Sequence, residues 1–228
     1  MGWILIKMAD LTLQPSTKDN IPSKSLPTTN YGDVAYIRTA VWNTDLVTIR
    51  TFLTFNASAI PAGSTINSAT LSLYYWEWNN GNPSGLTVWA YKLTRNDWVE
   101  LESTWNIYKT ANNWTTAGGD YVTSNPAGGS TTFPAAYAWM TWNIAAIVQD
   151  ARDNVGGIVN LLLRFETESG DRDGLWYSRD EATQTTLRPK LVINYTSPPI
   201  TRSISEVLAL VDTTNKKAGF RRSLKERG

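Results

Sequence analysis

The sequence contains no histidine and no cysteine. Without histidine there is no imidazole to act as a general base or to bind zinc. Without cysteine there is no thiolate nucleophile, no thiolate ligand for a metal and no disulfide. These two absences exclude most familiar hydrolase sites and all zinc-finger folds.

The chain also has little net charge and no long apolar run. Lysine and arginine number 21 against 20 aspartates and glutamates, which leaves +1. This balance provides no general attraction to nucleic acid or to an anionic membrane. No stretch approaches the roughly 18 apolar residues of a membrane span. We therefore expect neither nucleic acid nor a membrane as a partner.

The amino terminus lacks the pattern of an export signal. The apolar run at residues 3–6 is shorter than a signal-peptide core of about 7 residues, and no basic segment precedes it. We expect synthesis in a cytoplasm without a leader. Translation could start at Met1 or at Met8, so we treat residues 1–9 as an N-terminal extension.

Aromatic residues, in contrast, are abundant, with 11 tryptophans and 10 tyrosines among 228 residues. Indole and phenol rings bury a large area while keeping a polar end, so they are frequent in all-β cores, in protein interfaces and on sugar-binding surfaces. Composition alone does not distinguish these three uses.

Alternation of apolar and polar residues predicts several strands. The pattern covers residues 47–55, 69–75, 89–93, 159–165 and 191–195. In the second of these, Tyr75 lies on the predicted buried face, so Tyr74 and Trp76 should face outward. The helix-like spacing of residues 144–153, followed by Gly156, predicts one short helix. Many strands with a single helix indicate an all-β fold, a jelly-roll-like antiparallel β-sandwich.

The end of the chain differs from the body. The Ser-Pro-Pro sequence after Tyr195 is typical of a stiff linker. A capping-box pattern from Ser203 to Glu206 then predicts a short amphipathic helix, and a basic tail follows it. The apolar face of this docking helix comprises Ile204, Val207, Leu208 and Val211, and the tail carries Lys216, Lys217, Arg221, Arg222, Lys225 and Arg227. We accordingly divide the chain into residues 1–9, a sandwich at 10–195 and a docking segment at 196–228.

Several motifs in order resemble the DNRLRE-type β-sandwich domain. They are Asn30-Tyr31-Gly32, the segment 60–73 that starts Ile-Pro-Ala-Gly-Ser, Asp97-Trp98 with Thr104-Trp105-Asn106, Trp142-Asn143-Ile144, Ser178-Arg179 and Arg188-Pro189. The resemblance spans residues 10–195. It implies a non-catalytic module similar to carbohydrate-binding modules, some of which bind alginate-like acidic polysaccharides. The usual Phe-Asp pair of that family is Phe55-Asn56 here.

Two functional hypotheses follow from the resemblance and its setting. A freestanding, leaderless module with a basic tail resembles a virion surface protein, such as a capsid decoration or a tail or fibre component. Its partners would be capsid or tail subunits, contacted through the tail, and host-surface polysaccharide. The alternative is an extracellular carbohydrate-binding module for acidic polysaccharide, associated with a polysaccharide-degrading system.

Six aromatic residues are the candidate contacts with a glycan or a partner. Trp76 and Trp78 flank Glu77 at the end of a predicted strand, near a loop rim. The other four, in a long glycine-rich segment where rings are either exposed contacts or a cover over a sheet edge, are Trp114, Tyr121, Tyr137 and Trp139. Trp98 and Trp105, set within the family motif, are interpreted instead as core residues.

The acidic residues give only weak site patterns. Asp171 and Asp173, just before Gly174, could provide oxygen ligands to Ca²⁺, but the spacing of a full calcium loop is missing and a hairpin turn explains them as well. Arg188 is expected to pair with Glu100 or Asp180, or to grip a uronate carboxylate. Two carboxylate pairs, Asp97 with Glu100 and Glu166 with Glu168, could be nominated as acid and base, but neither marks a cleft. We expect no enzymatic activity and no cofactor.

Overall fold

The computed structural model describes residues 3–5, 7–42, 46–124 and 128–202. It contains seventeen strands, one α-helix and a short 3₁₀ turn in this part of the chain. The strands up to the middle are β1 (Trp3–Leu5), β2 (Met8–Leu13), β3 (Lys18–Asn20), β4 (Tyr36–Trp42), β5 (Val47–Ile49), β6 (Thr51–Asn56), β7 (Thr65–Glu77), β8 (Thr87–Leu93) and β9 (Ile107–Lys109). The remaining elements are β10 (Asn112–Asn113), β11 (Tyr121–Val122), β12 (Gly129–Thr132), β13 (Ala138–Asn143), α1 (Ala145–Asn154), β14 (Ile158–Phe165), β15 (Arg172–Tyr177), β16 (Lys190–Thr196) and β17 (Ile200–Arg202).

Two antiparallel sheets form the body. The seven-stranded sheet has the order β2-β16-β7-β15-β4-β5, with β13 on the other edge of β7. The six-stranded sheet has the order β11-β8-β14-β6-β3, with β12 also paired to β8. Side chains from both sheets, such as Leu71 and Trp176 from one and Phe55 and Leu161 from the other, belong to a single buried cluster. The predicted all-β sandwich is therefore confirmed.

Alternation along β7 determines which side chains face the core. Ala69, Leu71, Leu73 and Tyr75 are buried, whereas Tyr74 and Trp76 are only partly buried, as the sequence predicted. The helix α1 also matches its prediction to within one residue at each end, and it packs Ile147, Val148 and Ala151 into the core. None of the helical segments in the described part of the chain has the length and apolar character needed to cross a bilayer.

The predicted strand at 47–55 is in fact two strands that belong to different sheets. The chain breaks between β5 and β6 at Arg50, whose backbone N–H donates to the carbonyl of Pro22 at 3.2 Å. Its guanidinium donates to Glu168 and to the carbonyl of Gly118. The chain can cross from one sheet to the other here because this arginine has partners on both its backbone and its side chain.

The turn predicted at Asp173-Gly174 is wrong, because both residues lie inside β15. A Cβ added at Gly174 would approach the Phe133 ring to 2.1 Å. Glycine is thus required here by a core ring that packs directly on the strand, and not by a turn.

The outer face of the six-stranded sheet is covered by residues 94–121, which we call the cover segment. Its side chains Trp98, Tyr108 and Trp114 pack on Phe52, Leu93 and Leu162 and form a second buried cluster. The interpretation of Trp98 and Trp105 as core residues is confirmed, since both are buried. The cover segment closes the region around Phe52, Leu93 and Leu162. Other aromatic residues on the outer faces of both sheets are only partly buried: Trp89 and Tyr91 on the six-stranded sheet, and Tyr74, Trp139 and Tyr177 on the seven-stranded sheet.

Candidate functional site

Partly buried aromatic side chains follow one another across the outer face of the seven-stranded sheet. Trp139 on β13 is the direct cross-strand partner of Tyr74 on β7, and Tyr177 on β15 is the partner of Tyr36 on β4. Direct partners share a face of a sheet, so the four rings form one row. Together with two further outward residues they make up what we call the aromatic face: Tyr36, Trp42, Tyr74, Trp76, Trp139 and Tyr177.

The rings of this row hold one another in place. The Tyr177 ring lies parallel to Trp76 at 5.1 Å between centroids and nearly parallel to Tyr74 at 6.2 Å. Trp139 is turned by 81° relative to Tyr74, with centroids 5.6 Å apart. Contacts of this kind restrict ring rotation without burying the rings, so the surface is rigid before any ligand arrives.

One cation completes the row. The Lys190 ammonium lies 4.7 Å from the centroid of the Trp139 ring. It forms no ion pair with a carboxylate of the described residues, whereas Arg38 on the same sheet is paired with Asp173. A ligand that rests against Trp139 would therefore meet a positive charge that no protein carboxylate within that part of the chain neutralises.

The phenol group of Tyr177 on this face is held in its protonated form at neutral pH. Burial, together with the nearby carboxylate of Glu181, raises the pKa of Tyr177. The hydroxyl is therefore a hydrogen-bond donor and acceptor without charge, which suits contacts to sugar hydroxyl groups. The face thus combines flat apolar rings, phenol hydroxyls and one ammonium group.

Four of the six predicted contact residues lie on or next to the seven-stranded sheet. Trp76 and Trp139 belong to the aromatic face itself. Tyr137 is 51% exposed, contacts the edge of the Tyr75 ring and donates to Glu77 at 3.3 Å. Trp78, just beyond the end of β7, is 38% exposed. Tyr137 therefore contacts the inward side of β7 and is not part of the aromatic face, and no ring contact among the described residues joins Trp78 to that face.

The other two predicted contact residues lie on the opposite sheet. Trp114 is only 4% exposed and donates from its indole nitrogen to the carbonyl of Thr104, so the expectation that it is a surface contact is corrected: it is a core residue of the cover segment. Tyr121 is partly buried between Tyr91 and Arg50 and lines an open cleft of about 610 Å³. The structure does not bring it together with the aromatic face.

Five residues of this site were not among the predicted contacts: Tyr36, Trp42, Tyr74, Tyr177 and Lys190. Tyr36 and Tyr177 lie on β4 and β15, which the alternation analysis did not identify as strands. The outward position of Lys190 could have been predicted from the residues that follow it. In a strand with Leu191 and Ile193 facing inward, Lys190 must face outward.

The carboxylates are arranged differently from the sequence expectation. Asp173, one of the two calcium candidates, is fully buried and accepts two hydrogen bonds from the Arg38 guanidinium. Asp171, the other candidate, lies in the connection before β15. Arg188 does not pair with Glu100 or Asp180; it donates to the backbone carbonyl of Glu181. Arg179 is the residue that contacts both carboxylates, at 3.0 Å and 3.7 Å.

A different trio of carboxylates comes together at the edge of the six-stranded sheet. Oxygens of Asp19, Glu100 and Asp180 lie within 4.8 Å of one another. Burial raises the pKa of Asp19 to about 7 and also raises that of Glu100. Arg179 already supplies a positive charge among them, and its backbone N–H donates to Asp19 at 2.8 Å. Hydrogen bonds and ion pairs within the protein account for this arrangement without a metal.

The predicted docking helix and basic tail lie outside the described residues, as do Ile204 and Lys216 and the residues named with them. Their assignment stays a prediction.

Comparison with known protein families gives a match over most of the chain. The model of carbohydrate-binding module family 96 matches residues 10–195. A search of curated proteins found no match. The matched range contains the whole aromatic face and both sheets except for the first two residues of β2 and the last residue of β16.

Proposed function

Because the chain belongs to carbohydrate-binding module family 96, we propose that it is a non-catalytic module that binds an acidic polysaccharide through its aromatic face. The observation that carries this proposal is the row of rings on the outer face of the seven-stranded sheet, which are only partly buried within the described part of the chain. Sugar rings present flat C–H faces, and preorganised aromatic side chains bind such faces at little cost in conformational entropy.

The preference for an acidic polymer is supported by Lys190. Its ammonium lies beside Trp139, so a uronate ring resting near this indole would place its carboxylate within reach of the cation. An attraction of this kind weakens as salt screens it. The proposed specificity therefore predicts a binding constant that falls with ionic strength for a polyuronate.

The absence of catalysis in this proposal is supported by how the nominated carboxylates are used. Asp97 pairs with Lys109, Glu166 accepts from the Trp89 indole, and Glu168 pairs with Arg50 and Arg164. A general acid or base must be free to exchange a proton with substrate in a cleft. These carboxylates instead hold neighbouring elements together.

The proposal is tested by measuring binding of alginate and of a neutral β-glucan by affinity gel electrophoresis and calorimetry. We expect Trp139→Ala to weaken alginate binding about 30-fold, the size of a typical aromatic hot spot of ~2 kcal/mol. The matched control is Trp89→Ala, a partly buried tryptophan on the opposite sheet, which should change it less than twofold. Equal losses in both variants, or no binding of alginate to the natural protein, would refute the proposal.

A second candidate function is attachment to a virus particle. It is supported by the segregation of charge: from residue 216 onward six basic residues and one acidic residue give +5, so the rest of the chain carries −4 out of the total of +1. A basic end can orient a module on an acidic protein surface while the sandwich remains free. Removal of residues 203–228 should leave the sandwich folded and abolish incorporation into particles, and normal incorporation of the truncated protein would reject this function.

A further inference from the structure

A small pocket lies at one end of the aromatic face, on the outer side of β4 and β5, where Tyr36 and Trp42 of that face form part of its wall. Its volume is about 250 Å³, and residues 21–26 and Tyr31 close it from one side. Pockets for drug-sized ligands begin at roughly 300 Å³, so this one has room for a single ring and not for an oligosaccharide. Its walls are formed by Ile21, Ser23, Ser25, Leu26, Tyr31, Tyr36, Arg38, Trp42, Val47 and Ile49.

Arg38 is fixed on the floor of this pocket. Its Nε and Nη2 atoms donate to the two carboxylate oxygens of Asp173 at 3.3 Å and 2.6 Å, and its guanidinium lies 4.9 Å from the Trp42 ring centroid. Neither of these two bonds uses Nη1. Because the Asp173 side chain is fully buried and carries the opposite charge, the pocket offers the hydrogen bonds of a guanidinium without a net positive charge.

The remaining walls divide into a polar and an apolar part. The hydroxyls of Ser23 and Ser25 lie 3.0 Å apart and can both donate and accept. Val47 and Ile49 on β5, with Ile21 and the half-exposed Leu26, provide an apolar surface without a polar side-chain atom. A ligand that fills the space must therefore have hydroxyls on one edge and hydrocarbon on another.

We propose that this pocket binds one neutral sugar ring with an apolar edge, of the 6-deoxyhexose class. Its hydroxyls would meet Arg38 and Ser25, and its C6 methyl group would lie against the apolar walls. The choice of a sugar rests on the proposed carbohydrate-binding function, but the pocket is separate from Trp139 and Lys190. The module would then read a deoxysugar branch or chain end in addition to the acidic backbone.

The test uses the full chain with methyl α-L-rhamnoside and methyl α-L-fucoside, measured by saturation-transfer NMR and titration. Ser25→Trp places a large ring at the mouth of the pocket, and Lys24→Trp, at the neighbouring exposed position outside the pocket lining, is its matched control. Because residues 24 and 25 are exposed, neither change removes a core contact. We expect at least one of the two glycosides to bind the natural protein and Lys24→Trp within threefold of each other, and to bind Ser25→Trp at least tenfold more weakly.

Leu26→Trp, which obstructs the same mouth from a second exposed position, should reproduce the loss. The proposal is overturned if neither glycoside binds, if both obstructed variants bind like the natural protein, or if methyl β-D-glucuronide binds more tightly than either deoxysugar.

The experiments distinguish an error in the pocket proposal from an error in the polysaccharide proposal. If the pocket proposal alone is wrong, alginate still binds and remains sensitive to Trp139→Ala, but the deoxysugars do not bind. If the acidic-polysaccharide proposal alone is wrong, alginate does not bind, whereas a deoxysugar binds the natural protein and its binding is lost in Ser25→Trp.

Discussion

The outer face of the seven-stranded sheet, which we call the open face, presents Tyr74, Trp139 and Tyr177 at the surface. On the six-stranded sheet the cover segment buries Phe52, Leu93 and Leu162, and we call this region the closed face. Both faces are rich in aromatic residues. On the closed side, Trp98 and Trp114 contact Phe52 edge-on and are buried with it. On the open side the rings contact one another and stay partly exposed. The same residue type is therefore buried on one face and stays partly at the surface on the other.

The largest effect is expected from removing a ring of the closed face. Trp114→Ala should lower the free energy of unfolding by about 3–5 kcal/mol, because it leaves a cavity and deprives the Thr104 carbonyl of its donor. Trp139→Ala on the open face should cost less than ~1 kcal/mol. Urea denaturation gives the free energy of unfolding of both variants. Similar losses of stability would show that the aromatic residues of the two faces contribute equally to the fold.

A pH effect of intermediate size should arise from the closed face. Asp19 donates its backbone N–H to Glu100 of the cover segment, and burial raises the pKa of Asp19 to about 7 from an ordinary value of 3.8. Between these values the folded protein keeps a proton that the unfolded chain has lost. Stability must therefore fall as pH rises from 5 to 7, by at most about 1.4 kcal/mol per pH unit from this group.

Thermal or urea unfolding across pH 5–7 measures this dependence. Asp19→Asn should flatten it, since an amide does not titrate. Asp33→Asn, at an exposed position, should leave the slope unchanged. A slope of opposite sign in the natural protein, or an equal slope in Asp19→Asn, would show that Asp19 is ionised throughout in the folded state.

The smallest effect concerns one charge on each face. Lys190→Gln should weaken alginate binding roughly three- to fivefold at low salt, and the difference should vanish at high salt because the interaction is screened. Lys109→Gln removes a lysine that is paired with Asp97 on the closed side and should leave alginate binding unchanged. Calorimetry at two salt concentrations measures the alginate affinity of both variants. An equal loss of affinity in the two would mean that the net charge of the protein, and not the position of Lys190, determines alginate binding.

Local patterns in the sequence were sufficient for the strands whose two faces differ in polarity. Tyr74 and Trp76 could be placed outward because Leu71, Leu73 and Tyr75 alternate with them, and α1 was recognised from its 3.6-residue period. The same reasoning failed for β15, where Asp173 and Gly174 are typical of turns. There the partners that decide the structure, Arg38 and Phe133, are 135 and 41 residues away in the chain.

The site was harder to predict than the fold for a related reason. Trp114 and Trp139 lie in the same glycine-rich segment, and no local pattern distinguishes them. Trp114 is buried because the cover segment folds onto Phe52, whereas Trp139 on β13 is only partly buried among the described residues. Which sheet a loop covers depends on contacts between distant parts of the chain, and these are not encoded in any short motif.

The two ends of the described chain lie side by side. Strands β1 and β17 pair antiparallel, with Trp3 opposite Arg202 and Leu5 opposite Ile200, and the Ser197 N–H donates to the Lys7 carbonyl where the ribbon continues into β2 and β16. A force that draws residues 3 and 202 apart would therefore open this ribbon like a zipper, one cross-strand bond after another, instead of loading many bonds at once in shear. A ligand held on the aromatic face and pulled against either end alone would load the sandwich along a different direction, so the resistance of this module to tension depends on which points are tethered.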